Sequence, residues 1–259
     1  MDISEENRAA WNEASRSECE WSIPVTKETI DKARAGDWNV ILTPRKTVPK
    51  DWFPELKSRE VLCLASGGGQ QVPILAATGA NVISFDISDE QLELDEQVAA
   101  ENNLTLEAMQ GSMTDLSCFE ENRFDLIFNP ASSLFIEDMK PVWAECHRVL
   151  KPGGVLLSGA MNPSFFLFNH AEAQAEGQLI VKYPLPYSDL TSLDQAELDE
   201  ERKERKTVEF GHTLGSLIGD QIKAGFHITG FYEDYWSDST TLLNVYSPTS
   251  FATKALKQA

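Results

Sequence analysis

A run of three glycines and a later aspartate are the residues of this sequence best suited to binding a ligand. Gly67–Gly69 follow two residues after the apolar run Val61–Leu64, and Asp86 lies 19 positions after Gly67, at the end of the apolar run Asn81–Phe85. Glycine lets the backbone turn sharply and lets a ligand approach where a Cβ atom would collide. A carboxylate at this distance can accept hydrogen bonds from both hydroxyls of a ribose. Together these features indicate a nucleoside-binding site.

The elements that must position these residues can be predicted from the hydrophobic pattern. Val61–Leu64 is apolar at every position, as in a strand buried on both faces. Val72–Ala77 has a pattern suited to a helix that Gly79 ends, and Asn81–Phe85 is a second strand. Such a βαβ unit places the glycines and the acid at the carboxyl edge of a parallel sheet, where ligands bind. The alternative is an ordinary glycine turn. The helix and the acid follow the glycines at the expected spacing, which favours the nucleoside site.

The residues after the glycines narrow the choice of cofactor. A phosphate-binding loop requires Gly-Lys-Ser/Thr, whereas Gln70 and Gln71 follow Gly69 in this chain. A dinucleotide fingerprint has a third glycine at the position of Val72, which permits close packing around a pyrophosphate. A glycine turn without that residue fits a nucleoside ligand that has no pyrophosphate, such as S-adenosylmethionine.

The sequence resembles the class I S-adenosylmethionine-dependent methyltransferases over roughly residues 58–160. Ser-Gly-Gly-Gly-Gln-Gln at 66–71 resembles motif I of a subgroup of bacterial small methyltransferases, and Asp86 resembles the ribose-binding acid of motif II. Three further landmarks follow in the family's order. They are the loop after strand three, the fourth strand with the loop that faces the transferred methyl group, and the turn into strand five, at Gly111–Leu116, Phe124–Pro130 and Arg148–Leu157.

The resemblance implies a Rossmann-like α/β fold with a seven-stranded, mostly parallel sheet of order 3-2-1-4-5-7-6 and helices on both faces. It also implies S-adenosylmethionine as cofactor and S-adenosylhomocysteine as product. The residues expected to bind the cofactor are Ala65, Ser66, Gly67, Gly69, Gln71, Asp86, Ile87, Ser112, Met113 and Asn129.

This chain departs from the family pattern at three positions. Cys63 stands where the family usually has an acid, and Ala65 stands where it usually has glycine. Ser112 replaces an aspartate that commonly binds the adenine amino group. These departures concern how the cofactor is anchored. Methyl transfer itself survives them, because the cofactor carries the leaving group.

Composition restricts the class of acceptor. The 259 residues carry a net charge of −19 with an estimated pI of about 4.5. The surface should therefore repel nucleic-acid phosphates. The basic residues between 202 and 206 are interrupted by Glu204 and follow three acids. A small-molecule acceptor is expected, and no nucleic-acid partner.

Cysteine and histidine usage predicts no metal site. The four cysteines lack paired metal-ligand spacing, and the four histidines are equally scattered. Reduced thiols in a cytoplasmic protein are the expected state. We find no signal peptide, and no apolar run approaches the roughly 20 residues of a membrane span, so no membrane association is expected. The sequence indicates no oligomeric state.

Residues 1–57 are predicted to be an N-terminal helical lid segment in front of a core at 58–259. One helix is predicted within residues 2–20, with Ser4 as its cap, and a second at Glu28–Ala35. Four of the six tryptophans lie in the first 52 residues. They either pack this segment onto the core or cover the cofactor cleft, where an aromatic face can contact a sulfonium or an amine.

A cap insertion is predicted at about residues 161–210, after strand five. Insertions after strand ends lie above the carboxyl edge of the sheet, so this cap should help to form the acceptor pocket. Its aromatic residues either line that pocket or pack the cap, and its charged run Gln195–Lys206 fits a solvated helix face. The predicted elements after Ser88, which should cap a helix, are Asp89–Asn102, Leu106–Gln110, Asp138–Leu150, Leu217–Ala224, Phe226–Tyr235 and Val245–Leu256.

Asn129 is the first candidate for a residue beside the transferred methyl group, because it follows strand four. Its amide or backbone carbonyl could orient an acceptor amine but cannot act as a base. His212 and Asp234 are candidates for proton removal or substrate binding. Three interpretations of function are open: a small-molecule methyltransferase, a methyltransferase acting on a protein or RNA, and a non-catalytic S-adenosylmethionine-binding protein or one that uses the cofactor for other chemistry.

Overall fold

The computed structural model describes residues 2–237 and 239–258, and a seven-stranded sheet forms its centre. The order is β3-β2-β1-β4-β5-β9-β8, with β1 to β5 parallel and β9 antiparallel to both of its neighbours. With β8 and β9 counted as the sixth and seventh strands of this sheet, the predicted order and fold class are confirmed. The strands are β1 Glu60–Leu64, β2 Asn81–Asp86, β3 Leu106–Gln110, β4 Phe124–Asn129, β5 Leu150–Met161, β8 Phe226–Asp234 and β9 Ser250–Lys257, and the short strands β6 Tyr187–Ser188 and β7 Phe210–Gly211 form a separate ribbon.

Helices cover both faces of the sheet. They are α1 Ile3–Arg16, α2 Lys27–Arg34, α3 Gln71–Ala77, α4 Asp89–Asn102, α5 Met139–Val149, α6 His170–Glu176, α7 Asp189–Ser192, α8 Gln195–Lys203 and α9 Asp220–Lys223. One apolar cluster lies between the sheet and α2 and α3, and includes Ile30 and Leu75. The other lies between the opposite face and α5, where Trp143 is fully buried and donates its Nε1–H to Ser216 O at 2.9 Å. The alternating direction of side chains along the strands divides the core in this way.

Helix caps explain where two of the predicted helices begin. Ser88 Oγ accepts a hydrogen bond from Gln91 N at 3.1 Å, which confirms the predicted cap of α4. The predicted cap of α1 is wrong. Asp2 occupies that position, since its backbone is extended and its carboxylate accepts from Ser4 N at 3.0 Å, whereas Ser4 is already inside the helix.

The predicted C-terminal boundaries need correction. A π-helical turn, Gly215–Gly219, and the short α9 replace the single helix predicted at Leu217–Ala224. β9 begins at Ser250 rather than at Val245, because Leu242–Val245 form a 3₁₀ turn and Pro248 has no N–H for the strand ladder. The predicted charged helix ends three residues early, at Lys203.

The N-terminal segment and the residues after β5 lie together over the carboxyl edge of the sheet. α1 packs against α4, and its buried Asn7 joins it to two other parts of the chain. Asn7 Nδ2 donates to Phe135 O at 3.2 Å and to Val208 O at 3.1 Å, and Asn7 Oδ1 accepts from Val208 N at 2.7 Å. In the described ranges, no helix is both long and apolar enough to cross a bilayer.

Candidate active site

A cavity of about 660 Å³ lies at the carboxyl ends of β1, β2 and β4, below the N-terminal segment and the residues after β5. Its floor comes from loops that follow parallel strands, which is where an open α/β sheet binds ligands. Of the ten residues predicted to bind the cofactor, eight line this cavity: Ala65, Ser66, Gly67, Gln71, Asp86, Ile87, Ser112 and Met113. Gly69 and Asn129 are not among the lining residues.

The glycine turn is built for close approach of other chain segments. Gly68 has φ +116° and Gly69 has φ +73°, conformations that side chains disfavour. Gly68 N donates to Gln91 O at 2.9 Å, and Gly69 N donates to Asp95 Oδ1 at 2.8 Å, so the turn is fastened to α4. A Cβ atom on Gly68 would lie 2.6 Å from the backbone oxygen of Trp21. Gly69 therefore shapes the turn rather than the cavity surface.

Asp86 is held in place by backbone donors. Its Oδ1 accepts from Ser88 N at 2.9 Å and its Oδ2 accepts from Gly67 N at 3.2 Å. Burial raises the pKa of the Asp86 carboxyl to about 6, while these donors oppose the rise. The group is therefore mostly ionised at pH 7. Each carboxylate oxygen keeps acceptor capacity for a further donor such as a ribose hydroxyl.

Two buried polar atoms in the cavity wall have no hydrogen-bond partner. They are Ser66 Oγ and Gln91 Oε1, and their residues are 7% and 2% exposed. Buried polar groups are normally paired, so these two atoms suit a ligand that carries hydrogen-bonding groups. Beside Ser66, Ala65 has φ +45° at the place where the family usually has glycine. A hydroxyl that can donate or accept and an amide oxygen that accepts fit the amino-acid and nucleoside parts of S-adenosylmethionine.

The other departures from the family pattern can also be located. Cys63 is fully buried in an apolar cluster, and burial raises the pKa of its thiol. Ser112 lines the cavity, with its Oγ 2.8 Å from Thr114 Oγ1. Gln71 Oε1 accepts from Ile41 N at 3.0 Å, so this residue both lines the cavity and fastens the N-terminal segment.

The three predicted acceptor-side residues lie outside the cavity lining. Asn129 is fully buried, and its Nδ2 donates to Ser132 Oγ at 2.9 Å and to Leu64 O at 3.3 Å. His212 Nε2 lies 3.0 Å from Ser133 O and 2.8 Å from Ile136 O, and it must donate because carbonyls only accept.

Asp234 is occupied in a similar way. Its Oδ2 accepts from Thr43 Oγ1 at 2.8 Å and from the backbone N–H groups of Arg45 and Lys46. Although partial burial acts in the opposite direction, these donors lower the pKa of the Asp234 carboxyl. A direct role in proton removal therefore does not fit the placement of His212 or Asp234.

The N-terminal tryptophans divide into two pairs. Trp11 and Trp21 line the cavity, whereas Trp38 contacts the ring of Phe53 and Trp52 contacts Tyr232. Two of these tryptophans therefore lie at the cleft and two pack elsewhere, while contact with a sulfonium or an amine stays a prediction.

Residues after the glycines hold the N-terminal segment in place, which the sequence did not reveal. Gln70 Nε2 donates to Glu20 O at 2.8 Å and to Ile23 O at 3.0 Å. Gln91 Nε2 donates to Ser22 Oγ at 2.6 Å. Gln91 follows its cap Ser88 by one turn, and only its buried position in an acid-rich helix distinguishes it. Within residues 2–237 and 239–258, no group of three or more His, Cys, Asp or Glu side chains could hold a metal ion.

Known proteins are similar to this chain over different shares of its length. The methyltransferase-domain family matches residues 62–158. The uncharacterized methyltransferase YbaJ of Bacillus subtilis is 43% identical over 251 residues, which cover 97% of each chain. A ubiquinone biosynthesis O-methyltransferase of Haemophilus ducreyi is 28% identical and covers 73% of this chain and 77% of its own.

Solved structures show the same fold at low identity. A S-adenosylmethionine-dependent methyltransferase from Mesorhizobium loti has a TM-score of 0.60 at 17% identity, and covers 80% of this chain and 94% of its own. A SAM-dependent methyltransferase from Methanosarcina mazei has a TM-score of 0.57 at 20% identity, and covers 80% of this chain and 95% of its own. The sheet order, the methyltransferase-domain match and the YbaJ relationship agree: this chain belongs to the class I S-adenosylmethionine-dependent methyltransferases, enzymes whose cofactor is S-adenosylmethionine.

Proposed function

We propose that this enzyme methylates a small-molecule acceptor enclosed between the sheet edge, the N-terminal lid segment and the cap. The observation that carries the proposal is the aromatic roof of the cavity, to which Trp11, Phe135, Phe166 and Tyr187 contribute. A macromolecule would require a broad open surface, and the net charge of −19 disfavours RNA. The relative named for ubiquinone biosynthesis supports a small acceptor, at 28% identity.

In this proposal the cofactor lies along the floor of the cavity. Asp86 would accept hydrogen bonds from the ribose hydroxyls, and Ser66 and Gln91 would pair with its polar groups. Ser112 and Met113 would contact the adenine. Gly69 and Asn129 would act indirectly. Their hydrogen bonds position the glycine turn and the loop 130–132, which line the cavity.

The residues of the chain have two tasks in methyl transfer, and a third only if the acceptor arrives protonated. Bound S-adenosylmethionine supplies a methyl group made electrophilic by a sulfonium. The cavity must then place the acceptor in line and exclude water, tasks that we assign to the roof of aromatic side chains. A base is needed only if the acceptor arrives protonated.

Calorimetry with S-adenosylmethionine tests the cofactor assignment. We expect Asp86→Ala to weaken binding by about tenfold or more, because hydrogen bonds to a charged group contribute about 1.5–3 kcal/mol each. Asp51→Ala is the matched control, since Asp51 is exposed and lies outside the cavity lining. Parent-like affinity of Asp86→Ala would reject the ribose assignment, provided that the variant unfolds cooperatively.

A second experiment tests the acceptor class. The enzyme is incubated with methyl-labelled cofactor and a cell extract, and the products are analysed by mass spectrometry. A small labelled product supports the proposal. A labelled protein or RNA, or no transfer with intact cofactor binding, would instead favour a macromolecular substrate or a binding protein.

A further inference from the structure

A continuous aromatic wall runs through the cavity. Trp21 contacts Trp236 with ring centroids 6.0 Å apart, and Trp236 stacks on Phe165 at 6.1 Å. Phe165 meets Phe166 at 5.6 Å, and Phe166 stacks on Tyr187 at 5.5 Å. All five side chains line the cavity. The wall therefore extends from the segment beside the glycine turn to strand β6 in the cap.

Two carboxylates stand where this wall ends. Asp189 and Glu209 meet at the end of the ribbon of β6 and β7, where Asp189 N donates to Glu209 O at 3.1 Å and Glu209 N donates to Asp189 Oδ2 at 2.6 Å. Tyr187, the last ring of the wall, donates its hydroxyl to Asp189 Oδ1 at 2.6 Å. Both acids line the cavity. The ribbon thus presents an acid pair beside aromatic faces.

The nearby cations are engaged with other acids. Lys206 Nζ lies 3.1 Å from Glu201 and 2.7 Å from Glu204, and Arg205 pairs with Glu13 of α1 at 2.5 Å. In the part of the chain that the structure describes, no salt bridge includes Asp189 or Glu209. Burial first, and mutual repulsion second, raises the pKa of Glu209 to about 8, and burial also raises the pKa of Asp189. Lys206 acts to lower the pKa of both acids but forms no ion pair with either, and at pH 7 Glu209 is mostly protonated without a bound cation. A bound cation would offset the cost of ionising both buried groups.

We propose that the acceptor is an amine with a flat apolar body, whose ammonium group binds Asp189 and Glu209 while its body lies along the aromatic wall. The faces of aromatic rings attract both flat apolar groups and cations. A bound ammonium group favours the ionised form of both acids, and carboxylates form strong, charge-assisted hydrogen bonds with ammonium groups but repel anionic acceptors. This inference rests on the proposed function, because it describes the occupant of the same cavity.

Three probes of similar size test the preference for a cation. They are 3-phenylpropylamine, 3-phenylpropanol and 3-phenylpropanoate, titrated into the full-length protein saturated with S-adenosylhomocysteine. Tryptophan fluorescence reports binding, because Trp11, Trp21 and Trp236 line the cavity. We expect the amine to bind at least about tenfold more tightly than the alcohol, and the carboxylate to bind most weakly.

Glu209→Gln should lower the affinity for the amine about tenfold and leave that for the alcohol unchanged. It keeps the hydrogen bonds that Glu209 makes through its backbone to Asp189, so the ribbon should remain intact. Glu200→Gln is the matched control, because Glu200 is exposed and does not line the cavity. Absence of amine binding, equal binding of the alcohol or the carboxylate, or an unchanged amine affinity in Glu209→Gln would overturn the inference. The cell-extract experiment with methyl-labelled cofactor separates this failure from failure of the proposed function. A small labelled product that is not an amine would overturn only this inference, whereas a labelled protein or RNA would overturn the proposed function.

Discussion

Replacing Gly68 by alanine should disturb the contact between the glycine turn and the N-terminal segment. The new Cβ would lie 2.6 Å from Trp21 O and 2.6 Å from Gln91 Oε1, whereas real Cβ atoms essentially never come closer than 3.0 Å. The oxygen of Trp21 belongs to the backbone and cannot rotate away, so the segment itself must move. Gly68 also has φ +116°, which alanine disfavours.

The magnitude follows from these two causes. A left-handed backbone costs a non-glycine residue about 1–2 kcal/mol, and overpacking adds about 1–3 kcal/mol. Gly68→Ala should therefore lower the free energy of unfolding by about 2–5 kcal/mol. Gly153→Ala is a matched control that isolates the backbone cause, because Gly153 has φ +80° and nothing lies within 4 Å of its Cβ position. In this control the free energy of unfolding should fall by only about 1–2 kcal/mol.

Urea unfolding of both variants measures the difference, and calorimetry with S-adenosylmethionine measures its consequence. Trp21 and Gln91 line the cavity, so we expect Gly68→Ala to weaken cofactor binding about tenfold, equivalent to about 1.4 kcal/mol, and Gly153→Ala to leave it unchanged. Equal stability of the two variants, or parent-like cofactor binding by Gly68→Ala, would refute the reasoning.

Two further predictions concern buried polar residues. Burial raises the pKa of Asp95 to about 8, so between pH 4 and 8 the folded state binds more protons than the unfolded state, and stability falls as pH rises. In urea titrations, Asp95→Asn should reduce this pH-dependent loss of stability by up to about 1.4 kcal/mol per pH unit. The control Asp199→Asn, at an exposed position, should not change it. Identical dependence of stability on pH in the parent and Asp95→Asn would contradict the assignment. Asn7→Ala should lower the free energy of unfolding by about 2–3 kcal/mol, because buried backbone groups of Phe135 and Val208 lose their hydrogen-bond partner. The control Arg205→Gln removes an exposed ion pair and should lower the free energy of unfolding by less than about 1 kcal/mol. Equal losses in chemical unfolding would show that Asn7 is not a structural tie.

The sequence by itself determined the first two strands and the floor of the cavity, because both depend on local patterns. The order of the whole sheet was implied by the family resemblance. The strands β1 and β2, the glycine turn and Asp86 follow one another within 27 residues, from Glu60 to Asp86. Short-range periodicity, glycine conformation and the handedness of βαβ units fix how such a unit folds. Eight of the ten predicted cofactor residues accordingly line the cavity.

Only the tertiary structure decided which distant residues form the roof and which polar groups are occupied. Asn129, His212 and Asp234 follow strands or turns that point toward the site, yet their side chains are engaged by backbone groups of neighbouring loops. Conversely, the cavity-lining Gln91 donates a hydrogen bond to Trp11 O, 80 positions away in the sequence. Periodicity predicts which face of an element is buried, whereas the partners of a polar side chain depend on how separate segments meet in space. The acid pair could not be predicted from the sequence for the same reason, because Asp189 and Glu209 come together only when β6 pairs with β7.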